Sequence, residues 1–393
     1  MVESSFAEIK DEIIETRHYL HQHPELSDQE VETSRFITEY LLNIGYRIIT
    51  PVGLKTGVIA EIGEGKPVVG LRSDIDALPI KEATELPYSS ENEGVMHACG
   101  HDFHMASLLG AARVLKEKEA DLVGTVRLIF QPAEETHVGA QEVEEAGGIE
   151  GVDAIIGFHN KPDLATGEIG ILPGGLMAAV DQFKVTFKGV GTHAAMPQFG
   201  KDPIIALAGT VSAVQTIVSR NEDPQKTAVV SITHIEGGST WNVLPENAWF
   251  EGTVRTFDKQ ARQVAKERFY KVIEGQAASF GVDVEIEWIE GPNVVDNDPK
   301  LTEIVSEETQ KHLQLVKPTP SNAGEDFAYF SQKIPSVFAF VGSNGNSDWH
   351  HSDLRVDDEG LLVGAKWYYY TALRLLSELK TTGYVRIIGV NSK

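Results

Sequence analysis

The sequence predicts an α/β protein whose main domain has a mixed, largely parallel sheet with helices on both faces, interrupted by an inserted ferredoxin-like α+β domain. Three observations lead to this fold class. The chain of 393 residues is too long for one ordinary core. Strand-like apolar runs alternate with helical segments up to residue 180 and again after 291, which is typical of a parallel sheet covered on both faces. Between them the elements follow the order βαββαβ of a ferredoxin-like unit. We therefore expect a discontinuous first domain, residues 1–180 and 292–393, and an inserted domain, residues 181–291.

The first domain begins with two amphipathic helices. Ser27, with Glu30 three residues later, is typical of a capping box that starts the second one. Helical spacing predicts the helices of this domain, at residues 5–22, 28–44, 105–118 and 361–379. Short apolar or β-branched runs predict its strands, at residues 57–62, 68–71, 125–130, 154–158 and 336–341. The same criteria predict the strands of the inserted domain at 181–190, 228–235, 248–256 and 282–288, with helices at 203–220 and 259–280.

Composition and charge exclude several classes of function. The net charge of −24 argues against nucleic acid or an anionic membrane as a partner, because such binding needs basic patches. The single cysteine excludes an intrachain disulfide and favours the cytoplasm. The N-terminus lacks the basic and apolar regions of a signal peptide, and no apolar run approaches the length of a membrane span. We expect a cytoplasmic protein.

The single cysteine lies in the segment His97-Ala-Cys99-Gly-His101-Asp102-Phe-His104. A cysteine alone is most often a small buried hydrophobic residue. Here, however, thiol, imidazole and carboxylate groups occur together, and these are the ligands that transition metals take. The segment therefore predicts part of a metal site.

Polar residues follow four of the predicted strands directly. The strands run into Asp74, into Glu134-Glu135, into His159 and into a loop that ends at His350-His351. In an open α/β sheet, sites form beyond the carboxyl ends of the strands. We therefore expect these segments to converge on one site with the cysteine segment.

Two neighbouring carboxylates at a metal centre can divide the chemistry of hydrolysis between them. One carboxylate binds metal, while the other takes a proton from metal-bound water and passes it to the leaving group. The competing reading makes Cys99 a nucleophile, but its surroundings match no cysteine-protease context. We prefer Cys99 as a ligand. For His97 and His104 two roles stay open: each can support the metal site, or it can simply pack within the fold. A structural role is favoured for the remaining helix histidines, His18, His21, His23 and His312.

The motifs carry a family resemblance that covers nearly the whole chain. They are Leu20-His21-Gln-His-Pro24-Glu25-Leu26, Arg72-Ser-Asp74-Ile-Asp76-Ala-Leu-Pro79, Met96-His-Ala-Cys99-Gly-His101-Asp102, Phe130-Gln-Pro-Ala-Glu134-Glu135, Gly189-Val-Gly-Thr-His193-Ala-Ala-Met-Pro197, Trp241-Asn242-Val-Leu-Pro245, Gly252-Thr-Val-Arg255, Gly324-Glu-Asp326-Phe and His350-His351. Together they resemble the M20 metallopeptidase superfamily. More narrowly, they are similar to its amidohydrolase branch, which contains hippurate hydrolases, N-acyl-amino-acid amidohydrolases and auxin-conjugate hydrolases.

The resemblance implies a catalytic domain with two metal ions and an inserted lid domain that dimerises. Carried over residue by residue, Cys99 bridges the ions. The other ligands it implies are His101 and His159 on one ion and Glu135 and His351 on the other. Glu134 is then the general acid and base, and Asp74 orients a ligand imidazole.

The resemblance also assigns residues on the inserted domain. His193 reaches the active site of a second subunit and stabilises the tetrahedral oxyanion, while Asn242 and Arg255 lie near the substrate carboxylate. Two departures accompany these assignments. Arg72 stands where many peptidases of the superfamily begin the motif with a metal-binding histidine, and Ser352 replaces the usual proline after the last ligand histidine.

The expected function is metal-dependent hydrolysis of the amide bond of N-acyl-L-amino acids. The expected cofactors are two divalent ions, Mn²⁺ or Zn²⁺, with Co²⁺ as a substitute. The expected assembly is a homodimer through the lid domain, or a tetramer. The nearest alternative is an aminopeptidase, carboxypeptidase or dipeptidase with the same metals. Two further alternatives are a non-catalytic binder of a metal or small amide and a structural zinc protein.

Overall fold

The computed structural model describes residues 2–383, which form ten helices and sixteen strands. The helices are α1 (Val2–Glu8), α2 (Lys10–Gln22), α3 (Val31–Asn43), α4 (His101–Glu117), α5 (Gly139–Glu145), α6 (Pro203–Ala213), α7 (Lys259–Phe280), α8 (Pro299–His312), α9 (Ala328–Ser331) and α10 (Glu359–Thr382). The strands are β1 (Arg47–Ile48), β2 (Val58–Gly63), β3 (Val68–Asp74), β4 (Thr125–Gln131), β5 (Ala154–Lys161), β6 (Glu168–Gly170), β7 (Gly174–Met177), β8 (Ala179–Lys188), β9 (Thr192–His193), β10 (Ala228–Gly237), β11 (Val243–Leu244), β12 (Asn247–Thr256), β13 (Asp283–Glu290), β14 (Val295–Asn297), β15 (Gln314–Val316) and β16 (Ser336–Gly342).

The largest sheet has eight strands in the order β1-β2-β4-β3-β5-β16-β6-β15. Its four central strands, β4, β3, β5 and β16, are parallel to one another. Antiparallel pairs join β1 to β2, β2 to β4 and β6 to β16. The central strands are almost entirely buried, as expected for a parallel sheet covered on both sides. The predicted α/β class with a mixed, largely parallel sheet is confirmed.

Helices cover both faces of this sheet because successive strand residues point to opposite sides. On one face Leu71 and Phe158 join the main hydrophobic core with residues of α4 and α10. The Phe158 ring lies 4.9 Å from that of Tyr368. On the other face Gly157 lies against Phe327 and Phe338, beside α9. No helix among residues 2–383 combines the length and the apolar character needed to cross a membrane.

The chain forms two compact units. The first runs to Leu176 and includes Asp296–Thr319 and residues 326–383 of the described chain. The second comprises Met177–Val295 and Pro320–Glu325. The assignment of these segments to a catalytic domain and a lid domain stays a prediction, and residues 384–393 of the predicted first domain lie outside the described residues.

The second unit contains a four-stranded antiparallel sheet in the order β10-β12-β8-β13. Along the chain its elements are β8, α6, β10, β12, α7 and β13, which is the βαββαβ order read from the sequence. Its core joins residues of the sheet and both helices, with the Phe183 ring 4.5 Å from that of Phe269. The helix expected at 203–220 is shorter, because α6 ends at Ala213 and a π-helical turn, Ile217–Asn221, follows.

The capping box predicted at Ser27 and Glu30 is wrong. Helix α3 begins at Val31, and the Glu30 side chain caps no amide of it. Glu25 accepts from the helix instead, with Glu25 Oε2 2.8 Å from the Thr33 nitrogen. Ser27 and Glu30 bond to residues far along the chain, so tertiary contacts take the side chains that the local pattern assigned to the helix.

Candidate metal centre

The parallel strands bring their carboxyl ends to one edge of the large sheet, and ligand-type side chains lie there. Asp74 ends β3, Glu134 follows β4, and His159 lies near the end of β5. Helix α4 begins at His101, directly after Cys99-Gly100. The convergence predicted from the strand ends is therefore present in the first unit.

Cys99, His101 and His159 form the most compact group of this edge. Their ligand atoms lie within 4.8 Å of one another, and Cys99 Sγ is 3.4 Å from His159 Nε2. The turn that connects Cys99 to His101 requires glycine. Gly100 has φ of +85°, and a Cβ there would lie 2.3 Å from Asn160 Nδ2. The three side chains are buried.

Backbone carbonyls fix both imidazoles in the same tautomer. His101 Nδ1 donates to the Asp76 carbonyl at 2.8 Å, and His159 Nδ1 donates to the Asn160 carbonyl at 2.8 Å. Each ring therefore presents Nε2 to the group. This is the arrangement that metal-binding histidines adopt, with one nitrogen for the metal and the other held by an acceptor.

Glu134 and Glu135 approach the same group from the end of β4. Glu134 Oε2 lies 4.0 Å from His101 Nε2, and Glu135 Oε1 lies 3.9 Å from it. The Asp326 amide donates to Glu134 Oε1 at 3.3 Å. Glu135 also belongs to a group with Cys99 and His350. Two neighbouring carboxylates, Glu134 and Glu135, thus lie beside the candidate ligand His101.

At the last ligand position the structure differs from the choice made on sequence. His350 Nε2 lies 3.4 Å from Glu135 Oε2. His351, the predicted ligand, joins no group of candidate ligands among residues 2–383. His350 lies at a turn and has φ of +64°, in the left-handed region. The ligand role of His350 is a proposal, taken up below.

The role predicted for Asp74 also needs correction. Asp74 Oδ1 accepts from His104 Nδ1 at 2.6 Å, and Asp74 Oδ2 accepts from Arg72 at 2.9 Å. His104 Nε2 in turn accepts from the Asn160 amide at 2.8 Å. Both nitrogens of His104 are therefore engaged in hydrogen bonds, although its ring lies beside that of His159. Asp74 orients His104, and its distance of 3.6 Å from His101 Nε2 places it beside the ligand nitrogen.

Asp76 is the residue that sequence reasoning missed, although it lies in one of the quoted motifs. Its carbonyl fixes His101, and its Oδ1 lies 3.2 Å from His101 Nδ1. Its Oδ2 accepts from the Glu135 amide at 3.0 Å and from Ser27 at 2.7 Å. Asp76 thus orients a candidate ligand ring through its backbone carbonyl and the backbone of a candidate ligand carboxylate through its side chain. Its place in the motif Arg72-Ser-Asp74-Ile-Asp76, directly after a strand end, was the available signal.

The electrostatics of the group fit a cation. Burial and the carboxylates of Glu135, Glu134 and Asp74 raise the pKa of the Cys99 thiol well above its usual range. Burial alone lowers the pKa of His101, but Asp74, Asp76 and Glu135 outweigh it and raise that pKa to about 10. The cluster therefore attracts positive charge, which a divalent ion would supply while displacing the protons of Cys99 and His101.

Two buried ligand atoms support the same reading. Within the described part of the chain, His101 Nε2 and Glu135 Oε1 have no hydrogen-bond partner. Buried polar atoms are normally paired, so such atoms in one cluster indicate a missing ligand. Burial lowers the pKa of His159 well below its usual range, which keeps its ring neutral and able to coordinate. The residues present fit a metal site.

The motif around His21 supports the site through Asp102, the residue that follows the candidate ligand His101. Asp102, next to the candidate ligand His101, accepts from Arg17 at 2.9 Å and from His21 Nδ1 at 3.0 Å. All three side chains are buried, so that α2 is tied to the first turn of α4. His97 is also buried, and neither of its ring nitrogens has a hydrogen-bond partner among the described residues.

The three residues assigned to the substrate lie in the second unit. Strands β9 and β11 pair His193 with Val243, and the Ala194 amide donates to the Asn242 carbonyl at 3.0 Å. His193 and Asn242 are thus neighbours. Arg255 lies near the opposite end of β12 from Asn247, about 26 Å along the strand at the usual rise. Within one chain, the fold brings two of the three together.

Comparisons with known proteins agree with the motifs and with the fold. The profile of peptidase family M20/M25/M40 matches residues 70–374. An N-acetyl-L-cysteine deacetylase of Bacillus subtilis (strain 168) is 49% identical over 371 residues, which cover 94% of this chain and 89% of the relative. A hippurate hydrolase of Campylobacter jejuni is 34% identical over 377 residues, which cover 94% of this chain and 98% of the relative.

A solved structure shows the same relationship. A Bacillus subtilis protein described as a dinuclear metal binding peptidase from the M20 family matches with a TM-score of 0.86 and 44% identity. The match covers 94% of this chain and 99% of that one. The resemblance read from the motifs is confirmed. The chain therefore belongs to peptidase family M20/M25/M40.

Proposed function

We propose that the protein hydrolyses the amide bond of N-acyl-L-amino acids with the help of two divalent metal ions. The relatives support the substrate class, since one deacetylates N-acetyl-L-cysteine by its name and another hydrolyses hippurate. The observation that carries the proposal is the pair Glu134-Glu135 at the edge of the ligand group. Glu135 groups with Cys99 and His350, while Glu134 lies 4.0 Å from His101 and is held by the Asp326 amide.

The proposed ligands are those that meet at this edge. Cys99 belongs to two groups of candidate ligands, one with His101 and His159 and the other with Glu135 and His350, which supports a bridging role. The ions would be Mn²⁺ or Zn²⁺, with Co²⁺ as a substitute. When bound, they polarise the scissile carbonyl and make water more acidic.

The protein's own groups perform the proton transfers. Glu134 takes the proton of the water that attacks the acyl carbonyl, and the C–N bond then breaks as Glu134 returns this proton to the amine nitrogen. The products are a carboxylic acid and a free amino acid. The hydrogen bond from the Asp326 amide holds one oxygen of Glu134, so that the other faces the ligand group.

The second unit supplies the remaining parts of the proposal. His193 of a second subunit would donate a hydrogen bond to the tetrahedral oxyanion, with Asn242 and Arg255 near the substrate carboxylate. This arrangement implies a homodimer or a tetramer. The cytoplasmic location read from the sequence stays a prediction.

A panel of substrates tests the proposal. The metal-free protein is reconstituted with Mn²⁺, Zn²⁺ or Co²⁺ and assayed on acetyl-, benzoyl- and succinyl-L-amino acids, with dipeptides as the comparison. We expect turnover of N-acyl amino acids that depends on added metal. Faster turnover of dipeptides would favour the peptidase alternative, which the description of the related solved structure as a peptidase supports. Absence of turnover with every metal and substrate would contradict both.

A further inference from the structure

Glu30 is a buried carboxylate, and one of its oxygens accepts a hydrogen bond from the backbone beside Glu134. It lies just before α3. Its Oε1 accepts from the Ala133 amide at 2.8 Å, and its Oε2 accepts from the Thr56 hydroxyl at 2.8 Å. The residue that the sequence pattern assigned to a helix cap therefore contacts the turn that carries the proposed general base.

This turn has an unusual backbone. Ala133 is buried and has φ of +53°, in the left-handed region that residues with a side chain rarely adopt. On the far side of Glu134, the Glu135 amide donates to Asp76 Oδ2 at 3.0 Å. The amides before and after Glu134 are thus each bound by a buried carboxylate.

We propose that Glu30 is a positioning residue that holds Ala133 in its left-handed conformation and thereby aims the Glu134 side chain at the metal ligands. This inference rests on the proposed function of Glu134. The Ala133 amide is buried and needs an acceptor. Without Glu30 Oε1, the backbone can return to negative φ, and this rotation carries the Cα–Cβ bond of Glu134 away from His101. Glu30 touches Ala133 and Thr56, so it acts through the backbone rather than on the reacting atoms.

The electrostatic cost of this carboxylate agrees with such a role. Burial, together with the nearby Asp76, raises the pKa of Glu30 to about 7. A residue that only caps a helix can stay in contact with water and so avoids the cost of burying a charge. A buried backbone amide, in contrast, needs an acceptor that is buried with it.

Two substitutions of Glu30 test separately whether the length of the side chain or its charge matters. Glu30→Asp keeps the charge but withdraws the carboxylate by about 1.5 Å, one carbon–carbon bond. Glu30→Gln keeps the reach and an acceptor oxygen, and its amide can donate to Thr56. We measure kcat and KM on the best N-acyl amino acid, bound metal by elemental analysis, and the midpoint of thermal unfolding.

The proposal predicts that E30D lowers kcat about 10- to 100-fold, the effect of a small misplacement, while KM and bound metal stay unchanged. It predicts that E30Q retains most of kcat. The proposal is overturned if E30D keeps its kcat and loses only thermal stability. It is also overturned if E30Q loses as much activity as E30D, or if the activity is lost together with the metal.

Glu61 is the matched control. It is a buried glutamate on β2 that bonds to Arg47 and Arg127 instead of to the turn. E61D and E61Q should leave kcat unchanged, and a loss equal to that of E30D would contradict a specific role of Glu30. Glu134→Gln is assayed beside them. If it keeps turnover, the proposed function of Glu134 fails and the role of Glu30 fails with it. If it loses turnover while E30D keeps it, only the role of Glu30 fails.

Discussion

Replacing Arg72 by methionine tests whether the buried charges around the candidate site are held as the structure indicates. Arg72 is fully buried and its guanidinium donates to three side chains around it: Nε to Gln131 Oε1 at 2.9 Å, Nη1 to Asp74 Oδ2 at 2.9 Å, and Nη2 to Asp326 Oδ1 at 3.0 Å, among its contacts. Methionine fills similar space without these donors. Removing one partner of a buried ion pair costs about 3–5 kcal/mol, because a charge stays buried without its counter-charge.

Asp326 and Asp74 keep other hydrogen bonds when Arg72 is replaced, so the expected loss of unfolding free energy is at the lower end of this range. Asp326 still accepts from Gln131 Nε2 at 2.8 Å and from the Ala140 amide at 2.9 Å. Asp74 still accepts from His104 at 2.6 Å. We therefore expect Arg72→Met to lower the free energy of unfolding by about 3 kcal/mol.

Urea unfolding of the metal-free protein, followed by tryptophan fluorescence, measures this loss without a contribution from metal binding. The double variant R72M/D326N supplies the control, because removal of the Asp326 charge should recover part of the loss and reveal coupling between the two positions. A loss below about 1 kcal/mol in R72M, or strict additivity in the double variant, would refute the reasoning.

Three further predictions follow from the ligand group and the network behind it. His350→Ala should lower metal affinity by at least the roughly 10- to 100-fold that loss of an outer partner of a ligand costs, whereas His351→Ala should leave metal content unchanged; equal losses in both would contradict the placement of His350. Cys99→Ser should reduce bound metal in elemental analysis, and full occupancy of both ions would exclude the bridging role. Burial lowers the pKa of His21, but Asp102 and Glu82 outweigh it and raise that pKa to about 9, so the stability it contributes is fully present below pH 6.5 and is lost as the pH rises through about 9. The difference in thermal midpoint between the wild type and His21→Asn should therefore shrink over this interval, and a constant difference would contradict the pairing.

The edge of the sheet could be predicted from sequence because the signals there are local and strong. The apolar runs that became β3, β4, β5 and β16 each lead directly into polar residues. Parallel strands necessarily end at one edge, so the pattern of strands alone brings Asp74, Glu134 and His159 together. The group around Cys99 followed from the same reasoning.

Contacts that depend on side-chain direction could not be predicted in this way. His350 and His351 are identical in chemistry, so the sequence does not show which one faces Glu135, and in the structure it is His350. Asp74 and Asp76 lie two residues apart, so sequence spacing gives both the same face. The hydrogen bond from His101 Nδ1 to the Asp76 carbonyl, which sets the ligand nitrogen, is a backbone contact that no side-chain pattern reveals.

Ser27 and Glu30 show how a correct local pattern can give a wrong structure. Their spacing matches a capping box, which stabilises a helix only weakly. In the fold Ser27 donates to Asp76, and Glu30 accepts from Ala133, a residue more than a hundred positions away. These buried contacts replace the capping contacts that the local pattern predicts. The first amides of α3 still have an acceptor, because the Glu25 side chain accepts from Glu32 and Thr33.

We propose that Glu134 transfers the proton at a metal centre without being one of the metal ligands. The most direct test is the turnover of Glu134→Gln, with its metal content determined on the same sample after reconstitution with the metal that gives the wild type its highest rate. We expect the variant to retain two ions per chain and to lose activity by about 10²- to 10⁴-fold, the contribution of general acid–base catalysis. Turnover within a few fold of the wild type at full metal occupancy would mean that Glu134 does not transfer the proton.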